Sequence, residues 1–399
     1  MEETNRTPEA SPKKTGSRQE TSEKRKAGTL SALIISAFIL VFAAVTVLKP
    51  DRKFSPNENR NLAGRPAFSV SGLLDGSFAQ GLTERFSDQF LMRDTWISLK
   101  AFLDRAAGLR ESHGVYIGRD NWLFAAPEEP DMEALQKIAD AVNGFAASAG
   151  GVNTRMMLVP CACAVMPDLL PADAPVRNQA YDIERFRELL GSSTAVSFID
   201  PTEVLRQHRN EQLYYRTDHH WTCLGSRIVF EASAAALGIE QPVSSYQAYA
   251  LSNMFLGTLG SQSGNFITRD AIVIYVPDSE VQYYISIPDE GITQASLYFS
   301  AKLEEKDQYQ VFLGGNHPLV EIRTSADTGK NLLLFKDSYA NSFVQYLIPY
   351  YDKIIMVDPR YYYDSASQLV SREGITDILF LYSANTLFTD NSLADCLNA

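Results

Sequence analysis

Apolar residues recur along this chain in three rhythms, and each predicts a different element. From Ala27 to Leu48 they run without a single charge (AGTLSALIISAFILVFAAVTVL), long enough at about 1.5 Å per residue to cross a hydrocarbon layer of about 30 Å. Over 78–108 apolar and charged positions mix at helical spacing, which predicts helices burying Phe86, Phe90, Leu91, Trp96, Leu99 and Phe102. Short, nearly continuous apolar runs follow at Met156–Val159, Val196–Ile199, Leu332–Phe335, Ile354–Val357 and Ile378–Leu381, of the kind buried in parallel sheets. Helical patterns lie between them near 132–148, 178–191, 224–237 and 341–350.

Together these predict an α/β layered domain with a mainly parallel sheet and helices on both faces. A hairpin, Gly114–Ile117 and Trp122–Phe124, opens it. Between about 266 and 313 strands follow one another without helices, at Ile272–Val276, Val281–Ile287, Ser296–Phe299 and Gln310–Leu313, which predicts a β-rich insertion. The expected division is a disordered cytoplasmic tail over 1–26, a transmembrane anchor over 27–48, a linker and helical collar over 49–110, and the main domain over 111–399.

The flanks of the apolar run decide how it is read. A cleaved signal peptide would end in a small-residue cleavage site, whereas Lys49, Pro50, Asp51, Arg52 and Lys53 follow here, which favours an uncleaved anchor. Lys24, Arg25 and Lys26 precede it, and Lys13, Lys14 and Arg18 lie further out. Positive residues stay inside, so the N-terminus is expected in the cytoplasm and the body outside it.

Composition narrows the function classes. With 399 residues, 45% of them hydrophobic, the chain can build one large core or two smaller ones. A formal net charge of -12 and no basic patch beyond residue 53 argue against nucleic acid as a partner. Cys161 and Cys163 stand too close to pair comfortably, and Cys223 and Cys396 complete no framework. No metal and no cofactor is expected.

The candidate chemistry begins at Thr217, Asp218, His219, His220 and Trp221. A carboxylate that orients an imidazole makes a competent general base near neutral pH. In an extended segment residues i and i+2 face the same side, so Asp218 would pair with His220, and His219 would turn away to pack or bond the backbone. The alternative is that Asp218 caps the next helix and His220 is an interior histidine. A metal site would need a further ligand from His113, His208 or His317.

The nucleophile candidate is Ser338, where the apolar run Asn331–Phe335 meets a polar turn and then a helical pattern. A serine there projects from the carboxyl end of a sheet, and the helix N-terminus offers amide donors for an oxyanion. A plain N-cap at Asp337 or Ser338 is the other reading. Tyr339, Asn316 after Gly314 and Gly315, Arg360 at a strand end, and Ser261 in the glycine-rich stretch 257–264 are candidates for the oxyanion or for substrate.

The sequence Thr217 to Trp221 is similar to the signature of the bacterial DHHW family. The order of landmarks, with Asn57, Arg60 and Leu62, Phe90 to Asp94, Gly118 to Phe124 and Lys336 to Tyr339, resembles the alginate O-acetylation proteins of the SGNH-hydrolase-like superfamily over roughly 55–390. The resemblance implies a Ser-His-Asp triad with Asp218 as orienter, His220 as base and Ser338 as nucleophile, permuted relative to ordinary SGNH hydrolases. It departs at Lys336, where a glycine is usual, and at His219, where a smaller residue is. It implies acetyl transfer to an exported polysaccharide, with a multi-span membrane O-acyltransferase as acyl supplier. A carbohydrate esterase with the same triad and a non-enzymatic glycan-binding or assembly protein are the alternatives.

Overall fold

In the computed structural model residues 16–191 and 196–398 are described, and the chain divides into two units. The first comprises Met1–Ser55 and Arg60–Thr95, the second Pro56–Asn59 and Trp96–Ala399.

In the first unit one helix runs Gly16–Leu48, and its Arg25–Leu48 part, 24 residues, is long and apolar enough to cross a membrane. The tail expected to lack structure is therefore helical from Gly16 onward, while residues 1–15 lie outside the described residues. Gln19, Glu20, Lys24 and Lys26 are good helix formers, and extending a helix already nucleated costs little. In the helix Ser77–Asp88 the buried residue is a charged one, Arg85. Arg85 holds Asp51 at 2.7 Å, while Gln89, just past the helix, accepts from Arg52 N and donates to Arg52 O and Ala63 O. The linker is thus pinned along this face, and Phe86, expected inside, is exposed.

In the second unit Trp96, Leu99 and Phe102, also expected inside, are exposed. The main sheet is mixed and has eight strands: β1 (Asn153–Val159), β2 (Val196–Ile199), β3 (Tyr283–Ile287), β4 (Ile292–Gln294), β5 (Leu319–Thr324), β6 (Asn331–Lys336), β7 (Lys353–Val357) and β8 (Asp377–Ser383). Their order is β4-β3-β5-β7-β6-β8-β1-β2. Neighbours from β7 to β2 are parallel, and β5, β3 and β4 extend the sheet antiparallel.

The five apolar runs seen in the sequence lie in the five parallel strands; those of β1, β6, β7 and β8 are buried on both faces, while β2, at the sheet edge, leaves Ser197 exposed. Side chains alternate, so Leu332 and Leu334 of β6 join one core and Leu333 and Phe335 the other. The helices Met132–Ser148 and Gln179–Leu190 pack on the second core, and Cys223–Ser233 on the first.

The insertion differs from its expectation. Ser296–Phe299 and Gln310–Leu313 form no strands but meet through a single bridge, Tyr298 to Phe312, beside the 3-10 turn Gln308–Val311. A strand Tyr246–Phe255, mostly exposed and without a clear apolar rhythm, pairs with Asp270–Pro277. The helix expected over 341–350 is one α-turn, Ala340–Phe343, followed by 3-10 turns at Val344–Tyr346 and Ile348–Tyr350, with Pro349 in the last. All four cysteines are free and buried.

Candidate active site

Tyr214 and Trp221 form an antiparallel bridge, and the chain between them doubles back, with Tyr215 N donating to His220 O at 3.2 Å. Asp218 and His219 therefore sit at the tip of a tight loop and not in a helix cap. The cap of the next helix is Thr222, whose hydroxyl accepts from Gly225 N. On the other side β6 ends at Lys336, and Asp337 ties the following turn to the sheet. Its carboxylate accepts from Tyr339 N and from Ser383 N, each at 2.9 Å.

Between these two loops Asp218, His220 and Ser338 form one hydrogen-bonded chain. His220 Nδ1 donates to Asp218 Oδ1 at 2.5 Å, and Ser338 Oγ donates to His220 Nε2 at 2.7 Å across 118 positions of sequence. Asp218 and His220 are buried, Ser338 half-buried. The two loops are cross-tied: Trp221 Nε1 donates to Tyr339 O at 3.0 Å, and the Tyr339 hydroxyl to His219 O.

Asp218 is held ionised by its neighbours. Burial alone would raise its pKa, but the charges of His219 and His220 and the hydrogen bonds from His220 and Thr258 outweigh it and hold it below the usual carboxylate range. Its second oxygen accepts from Thr258 N at 2.8 Å and Thr258 Oγ1 at 3.0 Å. That approach explains the glycine-rich stretch. A Cβ on Gly257 would lie 2.2 Å from Asp218 Cβ and 2.6 Å from Thr217 O.

His219 turns away from Ser338, as the i, i+2 geometry predicts, and its Nδ1 donates to Thr258 Oγ1 at 2.9 Å. Burial of its surroundings and the adjacent His220 push it down to about 4, although 44% of its side chain is exposed.

The remaining candidates fall into different places. Tyr339 is buried, and with its N–H bonded to Asp337 it has no amide free for an oxyanion. Ser261 is buried too, and its hydroxyl donates within its own turn to Gly257 O at 3.1 Å. Arg360 spends two nitrogens on Asp358, at 2.8 and 2.6 Å, rather than on an incoming ligand. Asn316 is exposed, and its oxygen accepts from Lys336 Nζ at 3.0 Å and Asn341 Nδ2 at 3.2 Å, from residues before and after the Ser338 turn. The Ser338 N–H has no acceptor among the described residues.

Lys336, the departure from glycine, is buried under this turn between Asn316 and Asp358, 3.2 Å from the carboxylate. Burial lowers the lysine and Asp358 opposes the shift. Burial would raise Asp358, but Arg360 and Lys336 together keep it below its ordinary value.

Three contributors lie outside the sequence reading. Tyr309 stacks on His220, its ring centroid 3.8 Å away, and donates to Ser338 O at 3.1 Å. Asp270, buried and raised by that burial, accepts from Arg216 N, Thr217 N and Thr217 Oγ1 and so braces the loop before Asp218. Thr258 is the third. Tyr309 and Asp270 carried no local signal, because each acts through a contact made far away in sequence, whereas Thr258 lay within the glycine-rich stretch 257–264.

Fold and site together define an α/β protein with a serine, a histidine and an aspartate joined at the carboxyl edge of a mixed sheet. The model of the DHHW protein family matches residues 141–357, more than half of the chain, and the chain belongs to that family. Among curated proteins it is similar to the probable alginate O-acetylase AlgJ of Pseudomonas aeruginosa, 26% identical over 188 residues, covering 44% of this chain and 47% of that protein. The Azotobacter vinelandii protein of the same name is 24% identical over 180 residues, covering 42% and 46%. The chain spans about half the length of the curated relatives it matches. Among solved structures, a DHHW family protein from Eubacterium siraeum superposes with TM-score 0.61 at 24% identity, over 71% of this chain and 95% of that one. Bacillus cereus PatB1 superposes with TM-score 0.59 at 18% identity, over 70% and 98%. These two likenesses establish the shared fold.

Proposed function

We propose that this protein is a membrane-anchored serine O-acyltransferase of SGNH-hydrolase-like fold, acetylating an exported or cell-surface polysaccharide. The observation that carries this reading is the unbroken chain from Asp218 through His220 to Ser338 Oγ. The curated relatives named as alginate O-acetylases support its direction.

In this mechanism Ser338 Oγ attacks the carbonyl carbon of an acetyl donor and passes its proton to His220 Nε2. Asp218, held ionised, fixes the imidazole's tautomer and stabilises the imidazolium. The oxyanion lies against the Ser338 N–H and the Asn316 side-chain amide. A helix dipole contributes little there, because only one α-turn follows. As the donor's leaving group departs it takes the proton from His220, and acetyl-Ser338 remains. A sugar hydroxyl then gives its proton to His220, attacks the ester and leaves acetylated, and His220 returns the proton to Ser338 Oγ.

The apolar helix serves as the anchor, with the N-terminus in the cytoplasm and the body outside. A multi-span membrane O-acyltransferase as acyl supplier, which the family resemblance implies, fits that arrangement.

The test incubates the full chain in detergent with an activated acetyl ester and an oligosaccharide, then looks by mass spectrometry for an acetylated Ser338 peptide and acetylated sugar. Both are expected, and neither in Ser338→Ala. Free acetate alone would turn the reading to an esterase. Undiminished acetylation in Ser338→Ala would sink the assignment.

A further inference from the structure

The turn between β3 and β4 carries two carboxylates side by side, Asp289 and Glu290, in a loop that the pair Ile287 and Ile292 closes. Strand β3 runs antiparallel to β5, so this turn stands beside the segment that enters β5, and His317 lies there. One ligand atom from each of Asp289, Glu290 and His317 falls within 4.8 Å of the other two. No spacing along the chain announces the group, because it forms only through strand pairing, and it departs from the expectation of no metal.

The imidazole sets this group apart from an ordinary acidic turn. His317 is only 5% exposed, and its Nε2 lies 2.9 Å from Leu313 O. A carbonyl can only accept, so Nε2 carries the proton. That acceptor is itself held, since Leu313 is buried and its N–H donates to Leu297 O at 2.8 Å. Nδ1 then turns its lone pair toward Glu290 Oε1, 3.1 Å away, and a carboxylate oxygen is a second acceptor. No donor faces Nδ1 among the described residues. Two acceptors at that separation require a positive centre between them, either a proton or a metal ion.

Three features favour the metal. A ligating histidine characteristically gives its other N–H to a backbone carbonyl or carboxylate, which fixes the tautomer and the ring. A proton would engage one carboxylate oxygen, yet the Asp289 carboxylate stands beside the pair with no hydrogen bond of its own among the described residues. Asp289 and Pro318 also line a cavity of about 660 Å³, which gives an ion a path of entry. Ligand atoms at about 2.0–2.2 Å from a tetrahedral ion lie roughly 3.4 Å apart, and both carboxylates are exposed, so a small rotation of each closes the group. One imidazole with two carboxylates suits zinc better than calcium or magnesium, which take oxygen alone.

We propose that Asp289, Glu290 and His317 Nδ1 bind one zinc ion, which clamps the β3–β4 turn to the loop 313–317. Asn316 belongs to that loop and is bonded to Lys336 and Asn341, so the clamp steadies the chain beside the Ser338 turn. The binding does not rest on the acyltransfer reading.

The test strips the full chain of metal with a chelator in detergent and titrates it calorimetrically with zinc, then with calcium. One zinc per chain is expected, with Kd below about 1 μM, equally in Ser338→Ala and in His219→Gln. Glu290→Gln and Asp289→Asn, both at exposed positions, should each weaken it about tenfold or more, and His317→Gln should abolish it. Hydrogen exchange of 288–291 and 313–317 should slow about tenfold when zinc is added. Calcium bound as tightly as zinc would overturn the choice of ion. Zinc uptake lost in His219→Gln but kept in Glu290→Gln would move the ion to Asp218, His219 and His220 and overturn the site. No zinc uptake by the wild type would leave a proton as the positive centre and overturn the proposal, whatever becomes of acetyl-Ser338.

Discussion

Tyr309 lies flat on the imidazole of His220, its ring 3.8 Å away and 11° from parallel, while its hydroxyl donates to the carbonyl of Ser338. One side chain thus touches both the proposed base and the proposed nucleophile. Stacking is worth about 0.5–1.5 kcal/mol, and an aromatic face favours the imidazolium formed during the reaction. Tyr309→Phe keeps the ring and loses one hydrogen bond of about 1 kcal/mol, so kcat for acetyl-ester turnover should fall roughly fivefold. Tyr309→Leu should fall roughly tenfold further. Equal rates in the two variants would remove the ring from the account.

Gly257→Ala should displace Asp218, because the new methyl group would overlap both Asp218 and the Thr217 backbone. A misplacement near 1 Å costs on the order of 10²-fold in rate, and turnover should drop at least that far. Gly144→Ala, within the Met132–Ser148 helix and with nothing near its Cβ, is the control and should gain about 0.5–1 kcal/mol in urea unfolding.

The buried Lys336 and Asp358, with the half-buried Arg360, predict an asymmetry. Asp358→Ala leaves Lys336 uncompensated in the interior and should cost about 3–5 kcal/mol. Lys336→Met leaves Asp358 still paired with Arg360 and should cost clearly less. It also removes one of the two donors that hold the Asn316 oxygen, leaving Asn341 Nδ2 alone, so kcat should suffer more than stability does. Urea midpoints and acetyl-ester kinetics on both variants check the two halves.

His219 links stability to pH. Unfolded, it takes up a proton as pH falls through about 6.5, whereas in the folded protein it does so only near 4. Between these values the unfolded state binds more protons, so stability declines as pH falls from 6.5 toward 4. Asp218 and Asp358, lowered in the folded state, lose their contributions only below about 4. Asp270, raised, acts with the opposite sign. His219→Gln should therefore show a smaller drop in unfolding midpoint from pH 7 to 4.5 than wild type, and an unchanged drop would refute the shift.

The parallel strands β1, β2, β6, β7 and β8 were legible from their apolar runs, since a strand buried on both faces, as β1, β6, β7 and β8 are over those runs, must be apolar at every position there, and the edge strand β2 breaks its run only at the exposed Ser197. The elements that escaped were those whose burial is not periodic. Tyr246–Phe255 is mostly exposed, and the apolar stripe of Trp96, Leu99 and Phe102 predicted a burial that the fold does not provide. In the first unit the covered face was the polar one, because Arg85 and Gln89 there satisfy charge and backbone groups that hydropathy does not weigh.

By itself the sequence determined what depends on neighbours along the chain: an apolar helix of membrane length, the strand that ends before Ser338, and the i, i+2 spacing that sets Asp218 and His220 on one side. Only the tertiary structure decided that His220 meets Ser338, that Thr258 holds Asp218, that Tyr309 covers the imidazole, and that Ser261, Tyr339 and Arg360 are engaged elsewhere. Local pattern encodes burial and period. A contact across 118 positions is set instead by strand order and by which loops the sheet brings to the same edge.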